Sequence, residues 1–153
     1  MSYSSLNQAS HLRVESALAE NKSTLALRFE DAYAAGTRLE SNGLLRGNAN
    51  TRLGDYVDRT SARDLKAYLR SVGVSEGSGS LVQMNRFLRD PEGTGLYVRP
   101  DVRIPAANRI FDATVGFKPY NSTQITRFGQ YSGGDYITIV RPGAVGGSCS
   151  IVP

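Results

Sequence analysis

The chain has 153 residues, 40% hydrophobic and 21% charged, which suits one globular domain with its own core and excludes wholesale disorder. Its net charge of +4 rests on 18 basic residues, all arginine except Lys22, Lys66 and Lys118. An arginine-rich surface favours a phosphate-bearing partner, because guanidinium forks match phosphate oxygens two at a time. No run approaches the ~20 apolar residues of a membrane span, and the opening MSYSSLNQAS lacks the apolar core of a secretory signal.

In chain order, residues 1–10 are polar and expected to fray. From His11 to about Leu39 the spacing of Leu18, Leu25, Phe29, Ala32 and Tyr33 predicts helix, with a break at Lys22–Ser23–Thr24 and a stop at Gly36 or at Ser41–Asn42–Gly43. LLRGNANTRLGDYVDRT then reads as irregular, pinned by Leu44, Leu45, Leu53, Tyr56 and Val57. Ser61 and Asp64 resemble a capping box opening a short helix with Leu65, Tyr68, Leu69 and Val72 inward and Gly73 at its end. Glu76 to Ser80 (EGSGS) reads as a flexible joint, and Leu81 to Asp90 as the first arm of a β-hairpin that turns at Asp90–Gly95.

The stretch from Leu96 to Pro142 holds three β-patterned runs: Leu96–Pro105, Arg109–Lys118 and Asp135–Arg141. Between the last two, Ser122 or Thr123 caps a helical spacing that contains Ile125 and Phe128. The tail GAVGGSCSIVP has too many glycines to be regular. Helices first and strands afterwards predict an α+β fold: N-terminal helices, then a mostly antiparallel four- to five-stranded sheet with one packed helix. One domain over 1–153 is expected, helical over 1–75, with the sheet part over 80–142 carrying the site.

No internal repeat, P-loop, GxGxxG, HExxH or Gly-x-Ser-x-Gly motif is present, which removes the common nucleotide, zinc-protease and serine-hydrolase readings. Cys149 stands alone, so it builds neither an internal disulfide nor a Cys-based metal site, and the only histidine, His11, lies near the other end of the chain. The acids and cations of the β-rich half are the remaining candidates. There are ten basic and nine acidic residues up to Gly77, and eight against five after it, so the excess of positive charge lies in that half. Asp101, Asp112 and Lys118 lie in the order of a PD-(D/E)xK metal-dependent nuclease, in which acids hold Mg²⁺ and the lysine positions water. The spacing departs from that motif, with Gly116 where an acid belongs and Thr114 two residues after Asp112.

Metal-free RNA cleavage, by attack of a 2′-hydroxyl on the adjacent phosphate, fits better and requires no cofactor. It needs a proton acceptor, a proton donor and cations around the crowded phosphorane. Arg103 and Lys118 would supply the cations, and Asp101 or Asp112 would handle protons or orient the arginine. Tyr97, Arg99, Ser122, Thr123 and Arg141 would bind substrate. Tyr97, Tyr120, Tyr131 and Tyr136 offer aromatic surface for unpaired bases.

The segments YVRPDVRI, RIFDATVGFK, STQITRF and DYITIVRP, within residues 97–142, resemble the C-terminal toxin domains of polymorphic bacterial toxins of the contact-dependent growth inhibition and Rhs types. The resemblance implies a barnase/EndoU/colicin/RelE-like nuclease fold, an endoribonuclease activity with tRNA as the substrate class, and a cognate immunity protein as partner. It also implies release from a larger secreted or surface protein and action in the cytoplasm of a neighbouring cell. The absence of histidine from the sheet half departs from part of that group. A PD-(D/E)xK-like DNase toxin and a non-catalytic interaction domain stand as alternatives, and the basic charge counts against an immunity protein.

Overall fold

The computed structural model of the protein describes residues 8–49, 51–71, 74, 81–116, 122–145, 147 and 149–151, with side chains described from Leu25 onward except at 145 and 149–151. The fold is α+β, with the helices first. Helix α1 spans Gln8–Ser41 without a break at Lys22–Thr24. None of those three residues removes a backbone donor as proline would, and their propensity cost is only a few tenths of a kcal/mol. Leu25, Phe29 and Ala32 point into the core as expected. The helix ends at Ser41, where Gly43 takes a φ of 68° and the Leu44 N–H returns to the Leu39 carbonyl at 2.9 Å.

Helix α2 spans Arg52–Ser71 and so begins at Arg52, not at Ser61. Ser61 is no cap: it is buried in mid-helix, and its hydroxyl donates to the Asp58 carbonyl at 3.3 Å. Val57, Ser61, Leu65 and Leu69 recur every four residues as the buried face, a period that continues upstream through Leu53. The two helices approach closely at Gly36, where a Cβ would lie 2.9 Å from both Leu53 Cδ1 and Tyr56 Cδ1. A two-pronged ion pair beside it, Arg52 Nε to Glu40 Oε2 at 2.6 Å and Arg52 Nη2 to Glu40 Oε1 at 2.5 Å, ties the ends together. The hydrogen bond from Arg52 holds the Glu40 carboxyl below its ordinary range. Gly73 and the EGSGS joint lie outside the described residues.

The expected hairpin is present, interrupted but in one register. Strands β1 (Gln83–Met84) and β2 (Leu88–Arg89) form its first arm, and β3 (Tyr97–Val98) and β4 (Val102–Ile104) its second. Gln83 faces Arg103, Met84 faces Val102, Leu88 faces Val98 and Arg89 faces Tyr97. The interruption sits at Asn85, whose φ is 53°, and at Pro100–Asp101, where proline supplies no ladder donor. Asp90 builds the turn: its side chain accepts from the Glu92 N–H at 3.0 Å and from the Thr94 hydroxyl.

Strand β5 (Arg109–Ala113) pairs antiparallel with β4, and β6 (Tyr136–Val140) lies parallel to β5 because α3 (Thr123–Ser132) makes the crossover between them. Ser122 caps α3, accepting from the Ile125 N–H at 3.3 Å, and Ile125 and Phe128 are buried as expected. The Gly-rich tail is not wholly irregular: Cys149–Ile151 forms β7, antiparallel to β6. The open edge of β6 provides the partner that local sequence could not reveal. The principal sheet therefore runs β1-β4-β5-β6-β7, with three of its four pairings antiparallel.

This sheet has a core on each face. Val102, Ile104, Phe111 and Val140 meet Leu25, Phe29, Val57, Leu65 and Leu69 of α1 and α2. Ile110, Ile137 and Ile139 meet Ile125 and Phe128 of α3 together with Val98 of the hairpin. β6 carries core residues on both faces, which explains its unbroken run of buried residues from Ile137 to Val140. Among the described residues no helix is long and apolar enough to cross a membrane.

Two glycines should respond oppositely to alanine. Gly36→Ala gains about 1 kcal/mol of helix propensity but overpacks Leu53 and Tyr56, which costs about 1–3 kcal/mol, so net destabilisation is expected. Gly129→Ala, with nothing within 4 Å of the new Cβ, should stabilise by about 0.5–1 kcal/mol. Urea denaturation of both variants checks the pair.

Candidate active site

The site is built from the end of the β4–β5 ladder. Val102 faces Phe111, so extending the register by one residue sets Asp101 opposite Asp112. Asp101 Oδ2 accepts from the Ala113 N–H at 2.7 Å, and a side-chain hydrogen bond joins Asp101 to Asp112. Asp112 is buried, whereas Asp101 reaches a cleft. Burial above all, then the neighbouring Asp112 carboxylate, push the Asp101 carboxyl well above its ordinary value; Asp58 acts in the same direction and the Ala113 N–H opposes it. A hydrogen bond between two carboxyl groups needs a proton, and Asp101 retains it at a pH where an exposed aspartate has lost it.

The cleft, of about 800 Å³, lies between α2 and the hairpin. Its helical wall carries Arg59, Arg63, Lys66 and Arg70, spaced i, i+4, i+7 and i+11 along one stripe of α2, together with Asp55 and Asp58. The other wall carries Asn85, Arg99 and Asp101. Five cations thus share the cleft with three carboxyl groups, Asp55, Asp58 and Asp101. A smaller concavity of about 580 Å³ is lined by Phe87, Tyr97, Arg99, Thr123, Gln124 and Arg127, with Val98 at its base. Arg99 belongs to both.

Of the residues singled out from sequence, Asp101 and Arg99 line the main cleft, Asp112 stands behind Asp101, and Tyr97, Arg99 and Thr123 line the smaller concavity. Arg103 lines neither: its Nε donates to Asp135 Oδ2 at 2.9 Å, with Asp135 only 2% exposed. Ser122 is the cap of α3. Arg141 donates from Nε to the Gly147 carbonyl at 2.9 Å and fastens the tail. Lys118 and Tyr120 lie outside the described residues. Asp58 and the basic stripe of α2 escape a reading of the sequence because that stretch resembles loop until the helix is extended back to Arg52; the signal is the helical period of its cations. Among the described residues no three His, Cys, Asp or Glu side chains gather as a metal site.

Asp101 makes the fold pH-dependent. Its folded value is raised, so the stability it contributes is complete below the unfolded value of about 3.9 and is lost as pH rises through the folded value. Asp101→Asn can still accept from Ala113 and donate to Asp112. Its stability advantage over the parent should grow with pH above about 4 and then level off, as read by urea midpoints across a pH series. Arg103→Ala, which strands a buried Asp135 charge, should cost about 3–5 kcal/mol, and Arg103→Met with Asp135→Leu should recover most of it.

No protein-family model, curated protein or solved structure matches the chain, so its own side chains carry the functional argument.

Proposed function

We propose that the protein is an endoribonuclease that cleaves by 2′-hydroxyl attack without a metal ion. The observation that carries this reading is Asp101, backed by Asp112 and set into a cleft walled by arginine and lysine, with burial and Asp112 pushing its carboxyl well above the ordinary value. Two cleft carboxyl groups in different environments divide acid from base work. Exposed Asp58 takes the proton from the 2′-hydroxyl as the O2′–P bond forms. Asp101 gives its proton to the 5′ oxygen as the P–O5′ bond breaks, leaving a 2′,3′-cyclic phosphate and a 5′-hydroxyl. Arg59, Arg63, Lys66 and Arg99 neutralise the phosphorane, and Asp112 keeps the proton on Asp101.

The resemblance of roughly the last 60 to 70 residues to polymorphic bacterial toxin domains extends this reading to a toxin that cuts tRNA. It would be delivered from a larger surface or secreted protein into a neighbouring cell's cytoplasm and blocked by a cognate immunity protein. An immunity protein with an acidic surface would complement the basic cleft.

Incubation of purified protein with total bacterial RNA and with plasmid DNA, each with and without EDTA, tests the reading on a denaturing gel. RNA fragments with cyclic phosphate ends that persist in EDTA are expected. DNA loss blocked by EDTA would overturn it in favour of Asp101 and Asp112 as metal ligands. Asp101→Asn should lower the cleavage rate by about 10²–10⁴-fold while leaving the protein folded. Parent activity should fall as pH rises through the raised Asp101 value, since the donor must be protonated.

A further inference from the structure

We infer that the hairpin face bearing Phe87 and Tyr97 is a stacking subsite for unpaired nucleotides, so that the substrate is single-stranded RNA led into the cleft past Arg99. This rests on the ribonuclease reading and adds the form of RNA that the site accepts. Strand alternation sets Leu88 and Val98 inward against α3 and turns Phe87, Arg89, Tyr97 and Arg99 outward. In the hairpin's constant register Arg89 faces Tyr97, and extending it sets Phe87 opposite Arg99, so aromatic and cation alternate across both strands. The two rings meet edge to face, centroids 4.7 Å apart at 75°, and the Arg99 guanidinium lies 5.9 Å from the Phe87 centroid.

Phe87 is 55% exposed and Tyr97 54%, an unusual outlay of aromatic surface unless something covers it. The concavity beside them adds Arg127 and Thr123 and no acidic side chain. Asp90, which attracts Arg127, is itself engaged by Thr94 and the Glu92 N–H in the hairpin turn. Open rings interleaved with guanidinium groups suit a base flanked by phosphates, and every base has a face to stack. A duplex keeps its bases stacked on one another and offers such rings nothing. Because Arg99 lines both concavities and stands two residues from Asp101, a nucleotide stacked here has its neighbouring phosphate directed at the proton donor.

The test uses the full chain carrying Asp101→Asn, so that RNA is bound without being cut. Fluorescence anisotropy compares a short fluorescein-labelled RNA single strand with the same strand annealed to its complement. The single strand should bind more tightly. Phe87→Ala and Tyr97→Ala should each weaken it about tenfold or more without changing duplex binding, while Tyr97→Phe retains affinity. Equal affinity for both forms, no binding of either, or unchanged binding by the double alanine variant would overturn the subsite. The last result would reassign the patch to a protein partner. Cleavage by the parent protein is scored separately: cut RNA with no effect of the alanines sinks the subsite alone, and alanine-sensitive binding with uncut RNA sinks the nuclease reading alone.

Discussion

The register of β4 on β5 governs both the core and the candidate chemistry. With Val102 facing Phe111, the period of two turns Val102, Ile104 and Phe111 toward α1 and α2, and Arg103 and Ile110 toward α3. Asp101 and Asp112 meet only because they extend this same register past the end of β4. A slip by one residue would move Phe111 out of the helical core and drive a carboxyl group into it. Full burial stabilises each such apolar side chain by about 1.5–3 kcal/mol, so the core holds the register against the repulsion between the two acids. Two like groups are thereby kept closer than they would choose.

The same sheet contains a contrasting arrangement of buried charge. Arg103 and Asp135 are opposite charges joined by a hydrogen bond, and they fasten β4 to the start of β6 across β5. Asp101 and Asp112 are like groups that need a proton to coexist. The first arrangement resembles structural wiring and accounts for an arginine that sequence alone would assign to chemistry. The second raises one group's proton affinity and exposes that group to a cleft, a combination common at functional sites. Burial of charge alone therefore does not identify a site. The sign of the neighbour and access to solvent do.

Most of the architecture was legible in the sequence, for reasons that differ by element. α3 carried its own cap and an apolar pair at helical spacing, and both are observed, although the helix runs on past Gly129 to Ser132. The hairpin was legible from its turn, where Asp90 and the glycines after it have specific conformational roles. The start of α2 was obscured because Gly54 and the polar residues around it resemble loop, and because Ser61 and Asp64 imitate a cap. β7 was hidden because pairing with β6 is a long-range fact. At the site, Asp101, Asp112, Tyr97 and Arg99 were legible from charge and alternation, and Thr123 from its hydroxyl. Asp58 and the stripe from Arg59 to Arg70 depended on the misread helix, and the roles of Arg103 and Arg141 depended on partners distant or irregular in the chain.

Helix α2 serves two surfaces at once, and this gives the cleft its rigidity. Val57, Leu65 and Leu69 fix one face in the core, while Arg59, Arg63, Lys66 and Arg70 occupy an adjoining stripe. The stripe cannot shift relative to Asp101 unless the core face shifts with it. The position of α2 against α1 is set further back, where Gly36 lets the two helices approach and Arg52 grips Glu40. Long cationic side chains on a loop would lose conformational freedom when they bind phosphate. Mounted on a packed helix they still lose some, but their backbone anchors are already ordered, a pre-ordering that the proposed stabilisation of a phosphorane would require. The amphipathic period of α2 does both: it builds the core on one face and aligns the cations on another.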